Sequence, residues 1–284
     1  MDYGRPIQFG YFVVPDATRP LRALEHAVRA DELGIDLIGI QDHPYQHRFH
    51  DTWTLLAAVA MRTKRVTVFP DVANLPLRPP AVLAKAAASL DLLSGGRVEL
   101  GLGAGGFWDA IKAMGGPVRT PGESVSALEE AIEVIRLVWS GNRGLRYEGR
   151  YYQLAGLNAG PVPAHPISIW LGAYKPRMLR VIGRAADGWV PSLGYLKPGE
   201  LAEASSRIDD AARSAGRDPG AIRRVLNVGG NLTADDFATL AIETGFDTFV
   251  IGEAPENAEG ALKRFMTEVA PRVREIVAKA RESR

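Results

Sequence analysis

The sequence contains no cysteine, which excludes disulfides, thiolate nucleophiles and cysteine-ligated metals together. Long apolar runs are missing too. Stretches such as "LLAAVAM" at 55–61 fall far short of the roughly 20 residues that cross a bilayer, so no membrane association is expected. Neither sign of charge dominates: 34 basic residues face 33 acidic ones, for a formal net charge of +1. That balance gives no reason to expect nucleic acid or an anionic lipid surface as partner. The segment "MDYGRPIQFGYFVV" lacks a basic stretch followed by an apolar run and a small-residue cleavage site. A secretory signal is therefore not expected, and the cytoplasm is the expected location.

What the chain does contain is a rhythm. Short apolar runs at 7–14, 35–40, 65–70, 97–103, 167–172, 188–192, 222–229 and 247–252 alternate with amphipathic stretches. Those stretches predict helices near 19–34, 51–63, 79–93, 122–140, 175–186, 198–215, 233–244 and 256–280, with Pro271 kinking or dividing the last. Apolar strands with little alternation suit a parallel sheet buried on both faces. Eight consecutive strand–helix units predict an α/β fold closed into a (β/α)₈ TIM barrel, one domain spanning 1–284. The segment 141–166 breaks the rhythm and is expected to be an excursion with a short hairpin between the fourth helix and the fifth strand.

The second strand runs into "QDHPYQHRFHD" (41–51), which holds three of the five histidines. A metal cage there would need ligands converging from several strand ends. The other strand ends offer no histidine, so no metal site is expected. His47 and His50 read as solvated loop residues. Asp42 and His43 stand at the carboxyl rim, where such barrels gather their active sites.

With these residues in view, the chain resembles the luciferase-like flavin and deazaflavin oxidoreductases, and in particular the branch that uses coenzyme F420. The resemblance covers nearly the whole chain. It rests on "DH" at 42–43, where the FMN-using branch more often has Glu-His-His. It rests also on "DVANLPLRPPAVLAKAAASLDLLSGGRVELGLGAG" (71–105) and "IWLGAYKPRMLRVIGRAADGWVPS" (169–192).

The resemblance implies a non-prolyl cis peptide at Asp71–Val72, in a bulge ending the third strand that supports the back face of a tricyclic ring, with Asn74 beside it. Family members usually carry glycine or serine where Asp71 stands. It also implies a phosphate site at Gly172, Ala173, Tyr174, Lys175 and Pro176, where backbone N–H groups at a helix start suit an anion. "GLGAGG" (101–106) satisfies G-x-G-x-x-G, yet no second strand follows at the distance a Rossmann fingerprint requires. Gly103, Ala104 and Gly105 are read instead as allowing close backbone approach to a cofactor. His43 is expected as the catalytic acid/base, and Asp42 as the residue that orients ring polar groups or fixes the imidazole tautomer. Asp187 and Gly188 are read as structural.

Two departures separate the chain from the sugar-phosphate dehydrogenase branch. Gly106 stands where that branch has a proton-donating glutamate, and His47 where it has a tryptophan. Glu253 and Trp108 remain as candidates for the substrate side. The reading is an F420-dependent oxidoreductase acting on a small organic molecule and working as a homodimer, since the family tends toward dimers. The alternatives are an FMN-dependent monooxygenase of the same fold, a metal-dependent barrel hydrolase, and a cofactor-binding protein without catalysis.

Overall fold

Every residue of the second apolar run, Leu37–Ile40, is buried on both faces, as a strand between a barrel interior and a helical shell must be. Most residues around a ring of parallel strands are buried likewise. In the computed structural model, which describes residues 1–230, 232–252 and 258–283, these are β1 (Gln8–Val13), β2 (Leu37–Ile40), β3 (Thr67–Pro70) with its short continuation β4 (Ala73–Asn74), β5 (Leu100–Gly103), β8 (Ile169–Leu171), β9 (Gly188–Trp189), β10 (Arg223–Val228) and β11 (Thr248–Ile251). Neighbours pair in the order β3-β2-β1-β11-β10-β9-β8-β5-β4. A parallel bridge from Val68 to Val98 joins the two ends. Counting β3 and β4 as one interrupted strand gives eight, and the barrel closes as expected.

The helices are α1 (Arg22–Leu33), α2 (Thr52–Arg62), α3 (Pro80–Ser94), α4 (Trp108–Ala113), α5 (Pro121–Trp139), α6 (Pro176–Ala185), α7 (Pro198–Ser214), α8 (Ala234–Thr244), α9 (Ala258–Arg264) and α10 (Ala270–Glu282). Their ends follow the local chemistry. Thr120 and Glu123 form a capping box at the start of α5, as Thr233 and Asp236 do at α8. Gly34 ends α1 with φ 91°, a backbone that glycine alone adopts cheaply. Between α9 and α10 the helix widens to a π-turn over Phe265–Val269. Pro271 has no N–H to continue the ordinary ladder, so the expected break appears just before it as a change of helical pitch.

Two apolar cores result. The outer one lies between strands and helices and includes Phe9, Ile38, Leu83, Ile132 and Ile182. The inner one fills the barrel with Leu37, Phe69, Trp170, Val190, Val225 and Val250. Phe69 and Trp170 meet edge to face, with centroids 5.1 Å apart, a packed interior rather than a pore. The excursion carries the expected hairpin, β6 (Leu145–Glu148) with β7 (Gln153–Leu157), antiparallel. The short helix α4 was not expected. Its six residues are too few for a periodic pattern to stand out. Glu253 lies outside the described residues.

Candidate active site

Between β3 and β4 the Asp71–Val72 peptide is cis, at the bond the resemblance named. The bulge turns Val72 toward the inner core, and the glycines around it answer to that. A Cβ on Gly103 would lie 2.7 Å from Val72 Cγ2, one on Gly172 3.3 Å from the same atom, and one on Gly101 would meet the Pro70 carbonyl. Gly105 has φ 103°, and a Cβ there would meet Pro76 and Trp108 at 2.7 Å. Gly103 and Gly105 are thus demanded by the protein's own bulge and loop. Ala104, between them, already carries a Cβ.

Asp42 is 1% exposed. Its Oδ2 accepts from the Asn74 backbone N–H at 2.9 Å and Arg78 Nε at 3.0 Å, and its Oδ1 from Arg78 Nη2 at 2.7 Å. Arg78 also donates to Asp51, which caps α2. The expectation that Asp42 fixes the imidazole tautomer is therefore corrected. Its oxygens are spent on tying the end of β2 to β4, and its charge alone reaches the ring.

His43 is half-buried, with no hydrogen-bond partner for its ring among the described residues. Burial pushes its pKa down, against the upward pull of the Asp42 carboxylate, so the imidazole is neutral at pH 7. Tyr45 stacks on it at 5.4 Å and Phe107 meets it edge-on at 5.6 Å. Phe107 was missed in the sequence. It is 69% exposed and carries a positive φ of 41°, rare for a bulky residue. An aromatic directly after "GAGG" was the available signal. The other two histidines scatter: His47 is exposed, and the His50 ring contacts the Pro20 carbonyl at 3.0 Å. Among the described residues no three His, Asp or Glu side chains gather as a metal would need.

Across the mouth, Asn227 on β10 donates through Nδ2 to Asp71 Oδ1 at 3.1 Å. Among the described residues, Asp71 Oδ2, Asn74 Oδ1 and Asn227 Oδ1 are buried without any partner. The segment 172–176 forms the adjoining rim. The Ala173 carbonyl accepts from Trp189 Nε1 at 2.9 Å, and the Tyr174 hydroxyl accepts from the Ser192 N–H at 3.0 Å. Lys175 is exposed and stands at the start of α6, which has Pro176 in its first turn, no side-chain cap and no acid there. Trp108, the first residue of α4, sits against Gly105. The residues at 42–43, 71–74 and 172–176 thus meet at one mouth.

The family model for luciferase-like monooxygenases matches residues 7–236. The chain belongs to the luciferase-like monooxygenase family. An F420-dependent glucose-6-phosphate dehydrogenase of Amycolatopsis mediterranei is 34% identical over 194 residues, covering 66% of this chain and 58% of that one. This luciferase-like chain thus aligns with somewhat more than half of that relative's length. Among solved structures, an F420-dependent secondary alcohol dehydrogenase in complex with an F420-acetone adduct superposes with a TM-score of 0.83 at 20% identity, covering 95% of this chain and 99% of that one. A riboflavin lyase with modified FMN and riboflavin superposes with a TM-score of 0.81 at 15% identity, covering 95% of this chain and 92% of that one. At such identities these two likenesses speak for the luciferase-like barrel alone.

Proposed function

We propose that the protein is an F420-dependent oxidoreductase that transfers hydride to or from a small organic substrate at the barrel mouth. The observation that carries this reading is a set of buried polar atoms there with no partner among the described residues: Asp71 Oδ2, Asn74 Oδ1 and Asn227 Oδ1. Buried polar groups ordinarily find partners, and these three sit where a flat heterocycle with a polar edge would supply them. The uncapped start of α6 fits a phosphate, since open first-turn N–H groups and the exposed Lys175 favour an anion. The residues present therefore fit the coenzyme. The relatives named for F420 and the Asp42–His43 pair favour it over FMN, which remains the alternative.

When bound, F420 supplies two-electron chemistry as hydride at a carbon of its deazaflavin ring. The protein's own part is position and proton handling. Asn74 and Asp71 would face the polar edge, and the backbone at 172–176 would hold the phosphate. Gly103 lets the bulge seat and Gly105 lets the following loop close on Pro76 and Trp108, with Ala104 between them on the rim. His43, neutral and unpartnered, takes a proton from the substrate at a ring nitrogen or returns one in the reverse direction. Asp42 acts on it through charge while Arg78 holds the rim. Tyr45, Phe107 and Trp108 line the substrate side, an aromatic wall that suits an apolar acceptor better than a sugar phosphate. Gly106 and His47 depart from the sugar-phosphate pattern in the same sense.

The reading takes 1–284 as one domain, cytoplasmic and homodimeric. No described helix is long and apolar enough to cross a membrane. Val82 and Leu93 on α3, 66% and 69% exposed, offer an apolar surface for a second copy. Titration with F420 and with FMN, followed by fluorescence, tests the cofactor; preference for FMN would move the protein to the alternative. His43→Ala should lower kcat about 10²- to 10⁴-fold and leave the cofactor Kd within a few-fold. Unchanged turnover removes His43 from the mechanism.

A further inference from the structure

The hydrogen bond from Asn227 to Asp71 is unusual in its reach. In the eight-strand ring, β3 and β10 stand opposite one another, so the bond crosses the barrel lumen. It roofs the inner apolar core. Gly39 on the neighbouring strand makes room for it, because a Cβ there would come within 3.1 Å of Asp71 Oδ2 and 2.9 Å of the Phe69 ring. The carboxyl is thus seated in a space that β2 leaves open. Each partner keeps one oxygen buried and unused. Nothing in the mechanism above needs an acid at this position, and the family pattern has glycine or serine.

We propose that Asp71, held by Asn227 across the lumen, is a recognition residue for the ring seated on the mouth, and that it acts as a neutral acid, its Oδ2–H donating to a carbonyl on the ring's polar edge. This rests on the reading of the mouth as a deazaflavin site. The surroundings supply the reason. Asp71 has Phe69 and the Gly39 backbone beneath it, Asn227 opposite, and Tyr174 as the titratable neighbour on the rim whose hydroxyl its charge reaches. Burial raises the carboxyl to about 7, opposed by the Asn227 hydrogen bond. Donation to the ring requires the proton, which ties binding to protonation.

Linkage fixes the sign. Where bound protein keeps a proton that free protein has lost, affinity falls as pH rises. The Kd of wild-type protein for F420 should be flat below pH 7 and rise by up to tenfold per unit above it. Asp71→Asn, which keeps a donor and cannot ionise, should bind with no such slope. Comparing the two cancels any titration of the coenzyme itself, and His43, shifted below 6.5, has already lost its proton in this range. A wild-type slope that persists in Asp71→Asn, or a flat wild-type profile, overturns the proposal.

A second measurement needs no ligand. The folded-state carboxyl titrates above its unfolded value, so wild-type stability should fall between about pH 4 and pH 7 and then level off. The melting temperature of Asp71→Asn relative to wild type should therefore rise from pH 5 to pH 8. A constant difference means that Asp71 ionises normally, which ends the proposal whatever binds. Protein that binds neither F420 nor FMN defeats the functional reading and this one with it. Binding with a flat profile defeats this one alone.

Discussion

The two ends of the barrel use their buried acceptors differently. At the base, acidic side chains accept from main-chain amides where strands begin. Asp31 takes the N–H groups of Lys64, Arg65 and Val66. Asp36 takes Phe9, Glu99 takes Ser168, and Asp187 takes Ile169. The fully buried Arg224 donates to Asp209 at 2.8 Å and lies over the Tyr3 ring at 5.2 Å. Asp209 in turn accepts from the Tyr3 hydroxyl at 2.8 Å. At the mouth, Asp71, Asn74 and Asn227 each hold an oxygen with no partner among the described residues. The base spends its carboxylates on holding strands together and leaves one donor, Arg224 Nε, without a partner among the described residues; the mouth leaves three acceptors so. That division is what a barrel with its chemistry at the carboxyl rim should show.

The contrast can be broken experimentally. The largest effect should come from the base: Arg224→Ala leaves Asp209 buried without its cation and should cost about 3–5 kcal/mol in denaturant unfolding. Cofactor affinity of the surviving folded protein should not change; a selective loss of binding would mean the two ends are not separate. Gly103→Ala should come next. Its Cβ, 2.7 Å from Val72 Cγ2, displaces the bulge at a cost of about 1–3 kcal/mol. It should also weaken F420 binding by more than the stability loss suggests, and equal losses would detach the bulge from the site.

The smallest effect concerns His165, whose ring Nδ1 lies 2.8 Å from Asp91. Contact with Glu99 and the charge of Asp91 hold its pKa up. A raised folded value means the contribution is complete below about 6.5 and is lost as pH rises through that raised value. Partly exposed, it is worth under about 1 kcal/mol. His165→Asn should therefore destabilise at pH 6 and be nearly silent at pH 9 in thermal melts; an equal cost at both would point to packing instead.

The eight-fold rhythm and the position of His43 were legible because apolar periodicity and strand-end placement are local signals. The glycines at 103 and 105 were visible, but their reason was not, since the colliding atoms come from Val72, Pro76 and Trp108, distant in the chain or around a turn. Asp42 shows the same limit. Its partner Arg78 lies 36 residues away in a segment that reads as an ordinary loop. Nor could any spacing reveal that Asp71 and Asn227, 156 residues apart, meet across the lumen. Pairings between opposite strands leave no periodic trace.

Phe107 holds a left-handed backbone that costs a non-glycine residue roughly 1–2 kcal/mol, and its ring rests against His43 and Tyr45. Edge-on aromatic contacts return about as much, so the loop's shape and the occupancy of that ring position rise and fall together. One side chain thus both shapes the turn after β5 and walls the imidazole.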